Sequence, residues 1–452
     1  MSGIAELLCN LGYAVSGSDA KRSEVTDRLS ALGVRVDEGH AASHVGDADV
    51  VVFSSAVRQT NPEIVEATRR RIPVIARAEM LAELMRLRYG ICIAGAHGKT
   101  TTTSMIALAL ERGGLDPTAV VGGRLSAFGS NARLGSGDYM VAEADESDRS
   151  FLKLTPTIAV ITNVDHEHMD TYGSFAELQQ AFVDFANKVP FYGVVVACGD
   201  DPELAAILPR MTRRRITYGF LGDADIVGSD PRVDATGSSC RVARRVADGT
   251  AGPQSLGTLR LQVPGHHNLL NALAAVAVGL DLGLEFAVIA DALAGFQGAE
   301  RRFQRFGEPG GVLIVDDYGH HPTEIAAVLG AARAALNRRL VVAFQPHRYS
   351  RTAQLMDAFG PALGEADELV LADIYAAGED PIPGVTSDAL AAAIERSTGR
   401  PVHRAHTLDE VVATVVRLAR PGDAVITLGA GSIGTVARRL VDALGAAGGG
   451  RH

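Results

Sequence analysis

The sequence predicts an α/β protein with more than one domain. Three observations carry that expectation. The chain has 452 residues, too many for one ordinary hydrophobic core. Continuous Val/Ile/Leu runs alternate with helical stretches, as in parallel sheets covered on both faces. Unusual polar residues follow directly on several of those runs, where open α/β sheets bind their ligands.

Taken in chain order, the strand candidates are DVVVFSS (49–55), GICIAG (90–95), YMVAEAD (139–145), IAVITNV (158–164) and GVVVAC (193–198), then GVLIVDD (311–317), LVVAFQP (340–346), ELVLADI (368–374) and DAVITLG (423–429). Between Asp223 and Pro264 the chain becomes rich in Gly, Ser and Asp, which reads as β-hairpins inserted in the α/β pattern. Soft domain boundaries fall near 88 and 299. The tail GAAGGGRH (445–452) is expected to be disordered.

Composition excludes several classes. With 47% hydrophobic and 21% charged residues the chain is globular. Lys+Arg 43 against Asp+Glu 53 gives a net charge of -10, which argues against a general nucleic-acid binder. Cys9, Cys92, Cys198 and Cys240 form no C-x-x-C pair, so neither a zinc knuckle nor a disulfide framework is expected. No apolar run reaches membrane-spanning length. The first residues lack a basic stretch and contain Glu6, unlike a secretion signal. A reduced cytoplasm is the expected compartment, and no membrane partner is expected.

The chemistry begins at AGAHGKTTTT (94–103). Its Gly-Lys-Thr end is that of a phosphate-binding loop, but the usual first glycine falls on Ile93. Gly95 and Gly98 let backbone N–H groups approach phosphate oxygens. Lys99 supplies positive charge, the Thr100 hydroxyl can ligate Mg²⁺, and the following helix adds its N-terminal dipole. An ordinary strand–turn–helix with a surface lysine is the plain alternative. Glu143, Asp145 and Glu146 end one apolar run. Asn163, Asp165, His166, Glu167 and His168 end the next, and their carboxylates and histidines suit a nucleotide-bound Mg²⁺.

Further along, Asn268 and Asn271 share a helix face near its start; capping explains the first better than the second. Arg301 and Arg302 lie near a domain junction, where one guanidinium could reach the γ-phosphate. DDYGHHPTE (316–324) and QPHRYSR (345–351) follow strands and bring His347, Arg348 and Arg351, suited to carboxylate or phosphate recognition. Gly429, Gly431 and Gly434 spell G-x-G-x-x-G, a weak dinucleotide signal that calls for no second nucleotide site.

GAHGKTTTT, EADESD, NVDHEHMDTYGSF, GHHNLLNALAA, ERRFQ, DDYGHHPTE and FQPHRYSRT occur in the order found in Mur ligases, and over nearly the whole chain the sequence resembles that family. The pairing of DDYGHHPTE with QPHRYSR points to the member that adds L-alanine. The resemblance implies three α/β domains: a UDP-sugar-binding Rossmann-like domain (1–88), a P-loop ATPase-type domain with inserted hairpins (89–298) and a C-terminal Rossmann-like domain (299–452). It implies ATP and Mg²⁺ as cofactors, UDP-N-acetylmuramate and L-alanine as substrates, and a monomer or homodimer. The reaction would be amide formation through an acyl phosphate in peptidoglycan synthesis.

Residue by residue, the likeness makes Lys99, Glu143, His168, Asn268, Arg302 and Asp317 catalytic. Gly95, His97, Gly98, Lys99, Thr100, Thr101, Asn268, Asn271, Arg302 and Asp317 would bind nucleotide, and Thr100, Glu143 and His168 magnesium. Asp19, Ser54 and Ser55 fall to the UDP-sugar; His347, Arg348 and Arg351, with His320 and His321, fall to the amino-acid and muramoyl side.

Two departures stand out. Phe182 occupies the place where several Mur ligases carry a carbamylated lysine. The family's opening strand and G-x-G-G-x-G loop have no counterpart ahead of MSGIA, which predicts a truncated first domain, poor handling of the UDP-sugar and low stability over 1–88. The competing readings are a muropeptide-recycling ligase, a P-loop NTPase or kinase, and an ATP-binding remnant.

Overall fold

The computed structural model describes every residue except 55–56, 126–129, 170, 222, 235–236, 246–251 and 449–452. Ser55 therefore lies outside the described residues. The chain divides into two compact units. Met1–Asp230, Cys240–Leu259 and Leu270–Phe296 form one; Pro231–Ser239, Arg260–Leu269 and Gln297–His452 form the other.

The first 76 residues hold four short strands in two separate parallel pairs. Strand β1 (Ser16–Asp19) pairs β2 (Arg35–Glu38), and β3 (Val51–Phe53) pairs β4 (Val74–Ala76). The flanking helices start on local signals. Ser23 accepts from Thr26 N in a capping box ahead of Glu24–Ala31, and Asn61 caps Pro62–Arg69 with proline in its first turn. None of the four strands is fully buried along its length.

Next come β5 (Tyr89–Ala94), β6 (Thr118–Leu125), β7 (Ser130–Arg133), β8 (Tyr139–Glu143), β9 (Ile158–Ile161), β10 (Val194–Cys198), β11 (Arg215–Gly219), β12 (Ile226–Asp234), β13 (Gly237–Arg244) and β14 (Gln254–Leu261). They form one sheet in the order β14-β13-β12-β11-β10-β9-β5-β8-β6-β7. Strand β5 sits between β8 and β9 and is parallel to both, so chain order reverses at its carboxyl end. Ligands bind at such a reversal. The Gly-rich stretch predicted as inserted hairpins supplies β12–β14, three neighbouring strands at one end of the sheet.

The last sheet contains β15 (Gln304–Gly307), β16 (Leu313–Asp317), β17 (Leu340–Phe344), β18 (Glu368–Ala372), β19 (Val402–Ala405) and β20 (Ala424–Leu428), in the order β15-β16-β20-β17-β18-β19. Only β15 runs antiparallel to its neighbour. Strands β16, β17 and β20 are buried throughout, as continuous apolar runs require.

All nine predicted strands form, most of them ending before their polar carboxyl-end residues. Two expectations need correction. The runs ending at Glu143 and before His168 are consecutive in sequence but not adjacent, because β5 lies between β8 and β9. The tail is not structureless from 445: the helix Val436–Gly448 continues through Gly448. Phe182 is buried in the helix Phe175–Asn187, its ring edge-on to Phe151 at 5.4 Å, so it serves packing there. The four cysteines are free thiols. Among the described residues no helix is long and apolar enough to cross a membrane.

Candidate active site

Ile93 is a fully buried residue of β5, so the loop opens two residues later, at Gly95. Gly95 has φ +135°, and a Cβ there would lie 2.1 Å from Thr162 Oγ1. Gly98 has φ +83°, and a Cβ there would lie 2.6 Å from Asn271 Oδ1. Both glycines are thus required by backbone angle and by close approach. Asn271 has the packing role that capping could not give it.

The end of β9 fixes the middle of the loop. His97 N donates to Asn163 Oδ1 (2.8 Å), Asn163 Nδ2 donates to His97 O (3.0 Å), and His97 Nε2 lies 2.9 Å from Asp165 Oδ2. Gly98 then caps the helix Lys99–Arg112 with no side-chain bond. Its first N–H groups and dipole are directed at whatever lies before them. Thr100 is half-buried and Thr101 buried in that first turn.

Lys99 turns back over the loop. Its Nζ donates to Gly95 O (2.5 Å), Ala96 O (3.1 Å) and Glu146 Oε1 (2.8 Å). Burial would lower its pKa, but Glu146 and Asp145 outweigh burial and raise it, so it stays an ammonium. His168 Nε2 lies 3.5 Å from the same Glu146 oxygen and 3.4 Å from Glu167 Oε2. Burial lowers the His168 pKa, and the bonds to Glu146 and Glu167 reverse this and lift it to about 9. His168 has φ +59°, a strained value for a side-chain-bearing residue and a frequent mark of functional positions.

Glu146, Glu167 and His168 place donor atoms within 4.8 Å of one another. Glu146 is 1% exposed, and its Oε2 is buried without a hydrogen-bond partner among the described residues. Two carboxylates, an imidazole and one unsatisfied oxygen fit a hard divalent cation completed by water and phosphate. Glu143, expected to share the metal with His168, is half-buried at the end of β8, opposite Ile93, and is not one of these three. Glu146 and Glu167 were visible only as members of acidic runs; the fold selects them.

Beside this cluster lies a cavity of about 390 Å³, lined by Ser54, Arg77, Asp145, Asp148 and Ser150, with Met1, Gly3 and Ile4 among its other walls. Asp145 faces both environments. Burial pushes its pKa up, and Lys99 with the Ser147 donors outweighs this and holds it below the usual carboxylate range. Asp19 is exposed at the end of β1 and accepts from Lys21 N at 3.5 Å.

The second unit carries the remaining candidates at the carboxyl ends of its strands. Asp317 is buried and accepts from Phe303 N and Gly319 N, each at 2.7 Å. Burial pushes it up to about 6 against Arg302 and these two donors. Arg302 Nη1 bonds Glu324 Oε1 (3.2 Å), and Glu324 also accepts from His320 N (3.1 Å). Arg301, by contrast, is structural: it bonds Asp316 (2.8 Å) and Gly429 O (2.6 Å). Asn268 donates to Pro264 O at 2.7 Å, a bond back to a carbonyl rather than a cap.

His347 stacks on Tyr375 (5.6 Å), meets His320 edge-on (5.5 Å) and lies 3.4 Å from Arg351 Nη1 through Nδ1. A guanidinium only donates, so Nδ1 accepts and the ring proton sits on Nε2. Burial, then His320, Arg351 and Arg348, push His347 down to about 3. His321 is buried and caps the helix Pro322–Leu336 by accepting from Thr323 N at 3.4 Å. Arg348 is exposed, with φ +74°. The G-x-G-x-x-G run has a packing explanation. A Cβ on Gly429 or Gly431 would meet Gln345 at 2.7 Å, and one on Gly434 would meet Arg301 at 2.4 Å.

An α/β chain with a glycine-flanked lysine loop at the reversal of its largest described sheet defines a phosphate-using enzyme class. Family comparison narrows the class. Residues 1–89 match the Mur ligase family catalytic domain, 93–279 the Mur ligase middle domain, and 301–431 the Mur ligase glutamate ligase domain. The chain belongs to the Mur ligase family. It is 52% identical to the UDP-N-acetylmuramate–L-alanine ligase of Geobacter sp. (strain M21), over 99% of this chain and 96% of that protein. It is 54% identical to the ligase of the same name from Anaeromyxobacter sp. (strain Fw109-5), over 98% and 95%. The crystal structure of UDP-N-acetylmuramate–alanine ligase from Thermotoga maritima superposes with a TM-score of 0.83 at 28% identity, covering 99% of this chain and 97% of that one.

Proposed function

We infer that this chain is an ATP-dependent ligase that joins L-alanine to the lactyl carboxylate of UDP-N-acetylmuramate in peptidoglycan synthesis. The carboxylate oxygen attacks the γ-phosphorus of ATP, ADP leaves, and an acyl phosphate forms. The alanine amine then attacks the acyl carbon, and phosphate leaves with the C–O bond. Relatives more than half identical over nearly the whole chain support the substrate pair.

The observation that carries the reading is Asp145, which lines the cavity and whose carboxyl is held down by the charge of Lys99. The cavity gives a second substrate a place beside Lys99. Lys99 and the helix N-terminus hold the phosphates; His97, Gly95, Gly98, Thr101 and Asn271 shape their cradle. Phosphoryl transfer depends mainly on positioning and charge neutralisation, which these groups provide. Thr100, Glu143 and His168, with Glu146 and Glu167, would hold Mg²⁺, which when bound neutralises developing phosphate charge. Asn268, Arg302 and Asp317 serve the nucleotide. Asp19 and Ser54 serve the UDP-sugar. Arg348 and Arg351 bind the alanine carboxylate, and neutral His347, with His320 beside it, lines its pocket. Domain boundaries are proposed at 88/89 and 298/299.

The test is phosphate release with each substrate omitted in turn. Release is expected only with ATP, UDP-N-acetylmuramate and L-alanine together. Equal release with a tripeptide replacing L-alanine would instead support the recycling ligase.

A further inference from the structure

We propose that Glu146 is the resting counter-ion of the phosphate loop, holding Lys99 until an incoming phosphate takes its place, and that Tyr172 is the positioning residue that holds Glu146 ready for the exchange. The proposal rests on the reading of Lys99 as a phosphate-binding residue.

Glu146 stands three residues beyond β8 and is 1% exposed. One oxygen takes the whole of its ionic pairing: Lys99 Nζ at 2.8 Å and His168 Nε2 at 3.5 Å. The other is buried without a hydrogen-bond partner among the described residues. A buried carboxylate with an idle oxygen is costly, so the resting arrangement is not the most favourable one open to these groups. A phosphate at the helix N-terminus would bring negative charge close to Glu146. Two anions cannot share one ammonium without repulsion. Lys99 then turns to the phosphate, and Glu146 is left facing His168 and Glu167 with both oxygens available. Metal-free nucleotide binding is thus opposed by Glu146, while a cation joining these donors is favoured by it.

The loop is built to keep Glu146 in place during such an exchange. Tyr172 is fully buried, and its hydroxyl donates to Glu146 O at 2.6 Å. Thr171 Oγ1 donates to Ser147 O at 2.7 Å. The Arg149 guanidinium lies 4.7 Å from the Tyr172 ring centre and binds Glu177 at 2.7 Å. These contacts join the turn after β8 to the chain just beyond His168. They anchor the main chain and leave the Glu146 carboxylate free to change partner.

Calorimetric titration of the full chain with ADP, in EDTA and then in MnCl₂, tests the exchange. Removing one like charge at a few ångströms predicts that Glu146→Gln binds ADP in EDTA about fivefold more tightly than the parent. Its gain on adding Mn²⁺ should shrink. A merely structural Glu146 would weaken both titrations together. Tyr172→Phe keeps the ring and its Arg149 contact, and should shift both quantities in the same directions by less. Unchanged or weaker metal-free binding by folded Glu146→Gln overturns the proposal. If that variant does not fold, an unaltered pair of affinities in Tyr172→Phe overturns it. If the parent binds no ADP under either condition, the phosphate-loop reading falls and takes this inference with it. Parent binding without the predicted change in the variants removes the inference alone.

Discussion

At the carboxyl end of β5 the polar groups are ionic and buried: an ammonium, two glutamates and a charged imidazole within a few ångströms. Beyond the end of β17 the centre is aromatic, with His347 stacked on Tyr375 and arginines around it. Both edges belong to mainly parallel sheets whose inner strands are buried up to their carboxyl ends, so topology does not account for the difference. The ligands do. A polyanion needs fixed cations and backbone donors whose orientation costs nothing at the moment of reaction. A small zwitterion needs a carboxylate clamp and walls that limit its side chain. One edge invests in charge, the other in shape.

Removing charge from the first edge should have the largest effect. Lys99→Ala should lower kcat/KM by a factor corresponding to about 3 kcal/mol or more. It also leaves Glu146 buried with His168 as its one cationic partner among the described residues, so the variant should melt earlier than the parent. Lys99→Ala combined with Glu146→Gln should recover stability but not turnover. Recovery of both would show that the lysine only neutralises a neighbour.

The second edge should respond to pH in the manner of a buried neutral group. His347 sits at about 3, below the ordinary histidine value of about 6.5. As pH falls below about 6.5 the unfolded chain takes up a proton there and the folded chain does not. Stability should therefore drop progressively from that point towards pH 3. His347→Gln should flatten the part of the drop seen by denaturant titration between pH 7 and 5. An identical slope in the variant would mean that other groups dominate.

A smaller effect distinguishes the two-stranded pairs from the sheets. Amides of β1–β4 should exchange with solvent before those of β5, β9 and β10, because their strands are short and only partly covered. Mass-spectrometric exchange reads this directly, and equal protection would remove the expectation of low stability over 1–88.

Long apolar strands and the polar clusters after them were legible because burial on both faces forces continuous Val/Ile/Leu runs. Strands such as SGSD (16–19) and VHRA (402–405) were not, since tertiary pairing rather than local composition makes them strands. Within the site, Lys99, Gly95 and Gly98 announced themselves. EADESD offers several carboxylates with no local reason to prefer one, and only the path of the chain brings Glu146 to Lys99. Tyr172 carried no signal, because its role is a single bond to a distant carbonyl.

The division of labour between the edges is tested most directly by paired saturation curves for ATP and L-alanine in Arg351→Ala. The KM for L-alanine should rise with the KM for ATP nearly unchanged. Equal increases in both would contradict it, placing Arg351 with the nucleotide and leaving the alanine carboxylate without its assigned clamp.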